Sequence, residues 1–150
     1  MNLKLKWSLK KFGDLTNEEL YSILRLRSEV FVVEQKSIFL DMDNKDQRCR
    51  HLMGTLDGKI LAYSRIVPNG LSYSCPSIGR IVVSEAGRSS GLGKELMTVS
   101  ISSLEDIFGI GSIKIGAQLY LKDFYSSFGF QQTGQPYDED GIIHIEMTRF

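Results

Sequence analysis

Arg88-Ser89-Ser90-Gly91-Leu92-Gly93-Lys94 stands between the apolar run Ile81-Val82-Val83 and a stretch of helical periodicity, and these residue types describe a phosphate cradle. Gly91 and Gly93 let backbone N–H groups approach an anion with no Cβ in the way, and unpaired amides at a helix start carry partial positive charge. Arg88 and Lys94 add full charges at the two ends of the turn. The implied chemistry is the gripping of a diphosphate-bearing ligand. Two nucleotide motifs fail on this stretch. A dinucleotide fingerprint needs a glycine three residues after Gly93, where Leu96 stands, and a strand with an acidic end about 20 residues on, which is missing. A Walker loop needs Ser or Thr after Gly-Lys, where Glu95 stands, and a longer spacer between its glycines. What remains is Arg-x-x-Gly-x-Gly, which on its own is also compatible with a plain strand-to-helix turn.

A second motif lies about thirty residues further on, a spacing that suits helix-strand-helix. In Phe124-Tyr125-Ser126-Ser127-Phe128-Gly129-Phe130, Gly129 fits a left-handed position that stops a helix and Phe130 begins an extended run. With both motifs in hand the chain resembles the GNAT superfamily of N-acetyltransferases, whose pyrophosphate loop reads Gln/Arg-x-x-Gly-x-Gly/Ala and whose last helix ends Phe-Tyr-x-x-x-Gly-Phe. A closer likeness runs through Leu26–Gln35, Asp41-x-Asp43, Ile78–Glu85, Gly116-Ala117-Gln118 and Asp140–Ile145. It is to the small bacterial acetyltransferases of the ElaA type, over nearly the whole chain.

The resemblance implies acetyl-CoA as cosubstrate and acetyl transfer to a primary amine. Ser89, Ser90, Gly91, Leu92, Gly93 and Lys94 with Arg88 would hold the pyrophosphate, and the backbone of Ile81, Val82 and Val83 would pair with the pantetheine arm. Tyr125 is expected to protonate the leaving thiolate, because a phenol is a donor with an unperturbed pKa near 10. For the base, Glu34 or His51 acting through water is the expectation, with Glu85, Asp41, Asp43 and His144 also weighed. A lone histidine in a strand is more often hydrogen-bonded structure than catalyst. Gln118 stands where many members of the superfamily carry Asn. Asp41-x-Asp43 reads as a turn rather than a metal site, since two carboxylates lack further ligands.

Arg27, Phe31, Glu34, Asp41, Asp43 and Arg65 also look like the N-terminal half of acyl-homoserine-lactone synthases, although those enzymes are usually longer and lack the glycine turn. On that reading Arg27 and Arg65 would bind an acidic acceptor; the plainer reading makes them ion-pair partners of Glu34 and Asp41. A non-catalytic acyl-CoA sensor is the remaining alternative.

The elements that must position these residues can be read from periodicity. Leu3, Leu5, Trp7 and Leu9 alternate with polar residues, which predicts a half-buried strand. Thr16 and Glu19 form a capping box ahead of an amphipathic helix that carries Arg27 near its end. Residues 51–56 and 59–66 flank the hairpin signal Asp57-Gly58, and 78–83 reads as a central strand. Leu92, Leu96, Val99, Leu104, Ile107 and Phe108 predict one apolar helix face ending at Gly109 or Gly111. A buried strand at 113–117, a short helix to Phe128, and strands near 130–133 and 142–149 complete the chain.

The expected class is α/β (α+β mixed), a single domain over residues 1–150. As the superfamily's fold implies, it is one twisted, mostly antiparallel mixed sheet of about six to seven strands with about four helices on both faces. A chain of 150 residues buries enough surface to need no staples, so Cys49 and Cys75 read as reduced thiols in a cytoplasmic protein. Eighteen basic against eighteen acidic residues argue against a nucleic-acid surface, and no apolar run is long enough for a membrane span. The expected partner is a small-molecule or peptide amine; a homodimer through the last strands is compatible with the sequence.

Overall fold

In the Asp57-Gly58 turn both residues take positive φ, 51° and 79°. That geometry folds β2 (Arg50–Leu56) back onto β3 (Lys59–Val67) with the twist a two-residue hairpin requires. β1 (Lys6–Lys11) pairs antiparallel with the outer side of β2, and β4 (Ser77–Val83) with the inner side of β3. The C-terminal half supplies β5 (Ile113–Gln118), β6 (Phe130–Gln132), β7 (Tyr137–Glu139) and β8 (Ile142–Arg149). The sheet runs β1-β2-β3-β4-β5-β8-β6, and β7 pairs with β8 as well. These assignments come from a computed structural model that describes residues 3–150.

Helices cover both faces. α1 (Asn17–Arg27) starts on the expected capping box: Glu19 N–H donates to Thr16 Oγ1 at 3.0 Å, and Glu19 Oε1 accepts from Thr16 N–H at 2.9 Å. Its Ile23 and Leu26 pack with Met53, Tyr63 and Val82 on one face of the sheet. α2 (Leu92–Phe108) lies on the other face, where Met97, Ile101 and Leu104 meet Ile66, Ile78, Ile113 and Ile115. Each such buried aliphatic side chain contributes roughly 1.5–3 kcal/mol. α3 (Lys122–Ser126) joins this second cluster through Tyr125. Among the described residues no helix is long and apolar enough to cross a membrane.

Three expectations need correction. Among the described residues the sheet has eight strands, beyond the expected six to seven, and the extra one is β7, whose Asp140-Gly141 turn repeats the hairpin signal at Asp57-Gly58. The α-helices number three among the described residues rather than four, since the other turns at 12–14, 46–48, 85–87 and 119–121 are short 3₁₀ segments. On α2, Phe108 is 36% exposed and Met97 takes the buried place instead. One segment had no signal in the sequence: α1 runs on as a π-helical stretch, Ser28–Glu34, that widens its last turns.

The end of α1 is held by a closed ring of ion pairs. Fully buried Arg27 donates to Asp41 (2.8 Å) and Asp46 (2.8 Å), and Arg65 donates to Asp46 (2.9 Å) and Asp43 (2.8 Å). Arg80 closes the circuit onto Asp41 (2.9 Å) and Asp43 (3.4 Å). Every charge in it faces two of the opposite sign, so the ring is neutral. It ties α1, the 41–46 loop, β3 and β4 together. Burial alone would raise the Asp46 carboxyl, but hydrogen bonds from Arg27 and Arg65 carry it below the usual range. Removing one member strands a desolvated charge. Arg27→Met is therefore expected to lower unfolding free energy by about 3–5 kcal/mol in urea titration; a loss below about 1 kcal/mol would contradict a structural role for the ring.

Candidate active site

Among the described residues β4 and β5 are the only parallel neighbours in the sheet, and they share a single pair, Ser77 with Lys114. Beyond it Ile81, Val82 and Val83 have no strand on their β5 side. A cavity of about 840 Å³ opens in this gap and is lined by all three together with Glu34, Arg88, Gly93, Gln118 and Tyr125. β4 is bulged on the same stretch. Tyr63 pairs with Val82 while Arg65 pairs with Gly79, so β4 carries an extra residue, and Arg80 takes φ +47° to accommodate it. A non-glycine residue in that region is strained, and the two carboxylates that hold its guanidinium fix it there.

The 88–94 turn follows β4 as the sequence suggests. Gly91 is the N-cap of α2 at φ +74°, a left-handed conformation that glycine adopts without a Cβ penalty, and no side chain caps the helix. The first-turn amides of α2 are thus left to an external acceptor. Arg88 and Gly93 line the cavity; Ser89, Ser90, Gly91 and Lys94 lie on the same turn outside it, and Leu92 points into the core. Arg88 forks onto Glu34, with Nη1 to Oε2 at 2.7 Å and Nη2 to Oε1 at 2.9 Å. This hydrogen bonding holds the Glu34 carboxyl below its ordinary range. That makes Glu34 a clamp on the Arg88 side chain and a poor base.

Tyr125 stands in the cavity wall, 6% exposed, with Phe124 and Phe130 edge-on to its ring. Burial, with a smaller contribution from Tyr120, pushes its phenol up to about 12. His51 requires correction. It is fully buried and does not line the cavity; Nε2 meets the Asp46 carbonyl at 2.9 Å and Nδ1 meets the Tyr63 hydroxyl at 2.7 Å. A carbonyl only accepts, so Nε2 carries the proton, Nδ1 accepts from Tyr63, and the neutral ring is fully satisfied. Burial lowers its pKa, and Arg27 and Arg65 act in the same direction. His51 supports the ion ring from outside the cavity wall.

Arg27 and Arg65, candidates for an acidic acceptor, are both engaged by aspartates of the ring, and Arg27 pairs with Asp41 and Asp46 rather than Glu34. Gln118 donates Nε2–H to Gln35 Oε1 at 3.3 Å at the end of the π-helical stretch. Among the described residues no group of three or more His, Cys, Asp or Glu is arranged to hold a metal, and both cysteines are free thiols. Sequence reasoning missed Arg80 at the bulge and the cluster of Tyr73, Gly116, Tyr137 and Glu139 in the far wall. A second reading of Asp140-Gly141 as a hairpin would have brought Tyr137 and Glu139 onto the face of His144.

The comparisons agree with this architecture. Residues 14–149 match the family model described as Acetyltransferase (GNAT) domain. The chain is 36% identical to protein ElaA of Escherichia coli, over 97% of this chain and 96% of that protein. It is 38% identical to the UPF0039 protein sll0451 of Synechocystis, over 97% and 95% of the two chains. A solved acyl-CoA N-acyltransferase from Pseudomonas aeruginosa superposes with a TM-score of 0.94 at 39% identity, covering 98% of this chain and all of the other. This chain therefore belongs to the GNAT acetyltransferase family, and its class is acyltransferase. At greater distance the fold is shared with the acyl-homoserine-lactone synthase LasI (13% identity, TM-score 0.74, 97% and 89% of the chains). It is shared too with an Elizabethkingia anophelis GNAT acetyltransferase solved with acetyl-CoA bound (15%, 0.65, 97% and 97%).

A pH signature follows for His51. Its folded pKa lies below the unfolded value near 6.5, so the unfolded chain takes up the proton first as pH falls. The stability it contributes is complete above about pH 6.5 and declines below it. His51→Gln is expected to flatten the stability–pH slope between about pH 6.5 and 5 in unfolding titrations; identical slopes in both proteins would contradict a buried neutral imidazole.

Proposed function

We propose that the protein transfers an acetyl group from acetyl-CoA to a primary amine. The observation that carries this reading is the gap between β4 and β5, which leaves the backbone of Ile81–Val83 open beside the uncapped start of α2. An extended pantetheine arm can pair with that backbone as a strand would, while the turn amides and Arg88 take the pyrophosphate. Such a grip fixes the thioester against its acceptor, a positioning effect that contributes up to about 7–11 kcal/mol to lowering the barrier in ideal cases. The bulge at Arg80 turns the β4 backbone beside the same slot, where an N–H can meet the oxyanion of the tetrahedral intermediate.

Tyr125 is assigned the proton for sulfur. At about 12 its phenol stays protonated at any working pH. A thiol in water sits near 8.5, which would make the transfer uphill. Desolvation closes most of that difference, because it raises a thiol for the same reason it raises the phenol. The chain's own buried Cys49 is pushed up to about 11 by burial. General acid help of this kind is typically worth about 10²- to 10⁴-fold.

The lactone-synthase alternative is weaker, because Arg27, Asp41, Asp43 and Arg65 are engaged with one another and the solved synthases share only the fold. The sensor alternative leaves Tyr125 without a task in the cavity wall.

Calorimetry with CoA and acetyl-CoA tests the donor: saturable binding is expected, and no heat at millimolar ligand would overturn the reading. Gly91→Ala should weaken acetyl-CoA binding about 5- to 30-fold, the equivalent of roughly 1–2 kcal/mol of left-handed strain. Tyr125→Phe should lower kcat by about 10²- to 10⁴-fold at unchanged acetyl-CoA affinity; full turnover in that variant would remove the acid role.

A further inference from the structure

Opposite the β4 backbone, the far wall of the cavity is built on a glycine. Gly116 of β5 pairs with Glu146 of β8, and the next pair on the same face is Gln118 with His144. A Cβ on Gly116 would sit 2.9 Å from the Tyr137 hydroxyl oxygen and 3.2 Å from that of Tyr73. Two phenols from separate segments thus converge where a side chain would otherwise stand. Burial pushes Tyr73 up to about 12, reinforced by Tyr137, and burial raises Tyr137 too. Both stay neutral beside the carboxylates of Glu139 and Glu146. Lys114 Nζ lies 5.7 Å from the Tyr73 ring centroid and 3.6 Å from Glu146, so the groups left facing the cavity for a second ammonium are the two phenol oxygens and Glu139.

His144 stands at the edge of this recess, 7% exposed, with its ring stacked on Tyr137 at 5.9 Å between centroids. Its Nδ1 lies 2.8 Å from the Ile142 carbonyl, which only accepts, so Nδ1 bears the hydrogen. Nε2 therefore carries the lone pair that takes up a proton. Glu139 Oε2 lies 3.3 Å from that nitrogen, placed to stabilise the imidazolium once a proton arrives. A base, the carbonyl that fixes its tautomer and a carboxylate that stabilises its protonated form thus stand in one wall of the cavity.

Resting on the acetyl-transfer reading, we infer that His144, backed by Glu139, is the base for a primary ammonium acceptor seated against the Tyr73 and Tyr137 hydroxyls. The ammonium gives one proton to Nε2, which passes it to solvent. The freed lone pair forms the C–N bond to the thioester carbon, and collapse of the adduct breaks the C–S bond. The sulfur takes the Tyr125 proton, and the second proton shed by nitrogen restores the phenol. One amide, one thiol and one released proton balance the step.

The test measures thiol release from acetyl-CoA with spermidine, cadaverine, glycinamide and a lysine-containing peptide, with acetyl-CoA binding followed in parallel by calorimetry. His144→Ala is expected to lower kcat/KM for the best amine by about 10²- to 10⁴-fold at unchanged acetyl-CoA affinity, with added imidazole restoring turnover. Gly116→Ala, whose Cβ would push the Tyr137 and Tyr73 hydroxyls aside, should raise the acceptor KM more than it lowers kcat. Wild-type kcat/KM in His144→Ala, or a loss that imidazole does not restore, overturns the inference. Should that variant not fold, Glu139→Gln on its half-exposed side chain must by itself lower kcat, and an unchanged kcat overturns it equally. If acetyl-CoA binds but none of the amines releases thiol, the acceptor inference fails and the donor reading stands; if acetyl-CoA does not bind, both fail.

Discussion

One constraint governs this molecule: β4 and β5 are neighbours in a sheet yet hold each other by a single pair, Ser77 with Lys114. Buried backbone amides and carbonyls demand partners, so strands that part in the middle of a sheet leave a slot that something extended must line or fill. The two halves share one core around α2. β1 to β4 form a meander packed on α1 and α2, and β5, β8 and their short neighbours β6 and β7 form a second unit packed on α2 and α3. The cavity lies at the seam between them, walled by β4, β5 and β7 on the strand side and by the 37–45, 72–73 and 118–121 segments around them.

The ring of Arg27, Asp41, Arg80, Asp43, Arg65 and Asp46 explains how the seam keeps its shape. A bulge that puts Arg80 at positive φ carries local strain, and strain persists only where its surroundings hold it. Here the side chain of the strained residue is itself gripped by two carboxylates. The same ring draws the 41–46 loop against α1, and His51 and Tyr63 extend the hydrogen bonding beneath it. Charge at this end of the cavity is thereby neutralised internally. Charge at the other end, near Glu139 and Glu146, is not balanced in the same way; Lys114 reaches only Glu146, at 3.6 Å.

What the sequence made legible is what short stretches encode. The glycine turn, the Thr16–Glu19 capping box, the Asp57-Gly58 hairpin and the Phe-Tyr helix end are local patterns, and each appears where it was read. Features that depend on distant residues were invisible. Nothing near Arg80 in the chain announces a bulge, since the extra residue is defined only against β3. His51 and His144 look alike as lone strand histidines. One is sealed under the ion ring and the other opens on the cavity, a difference made by Asp46 and Tyr63 in one case and by β7 in the other. β7 itself was within reach, because its Asp140-Gly141 turn carries the same signal that located the first hairpin.

The central claim is that the open backbone of β4 and the turn that follows it receive an extended thioester-bearing ligand. Amide hydrogen exchange with and without CoA addresses it most directly. Bound ligand should slow exchange at Ile81–Val83 and at residues 88–94 while leaving the β1–β2 pairing unchanged. Saturable CoA binding with no added protection in either segment would contradict the account.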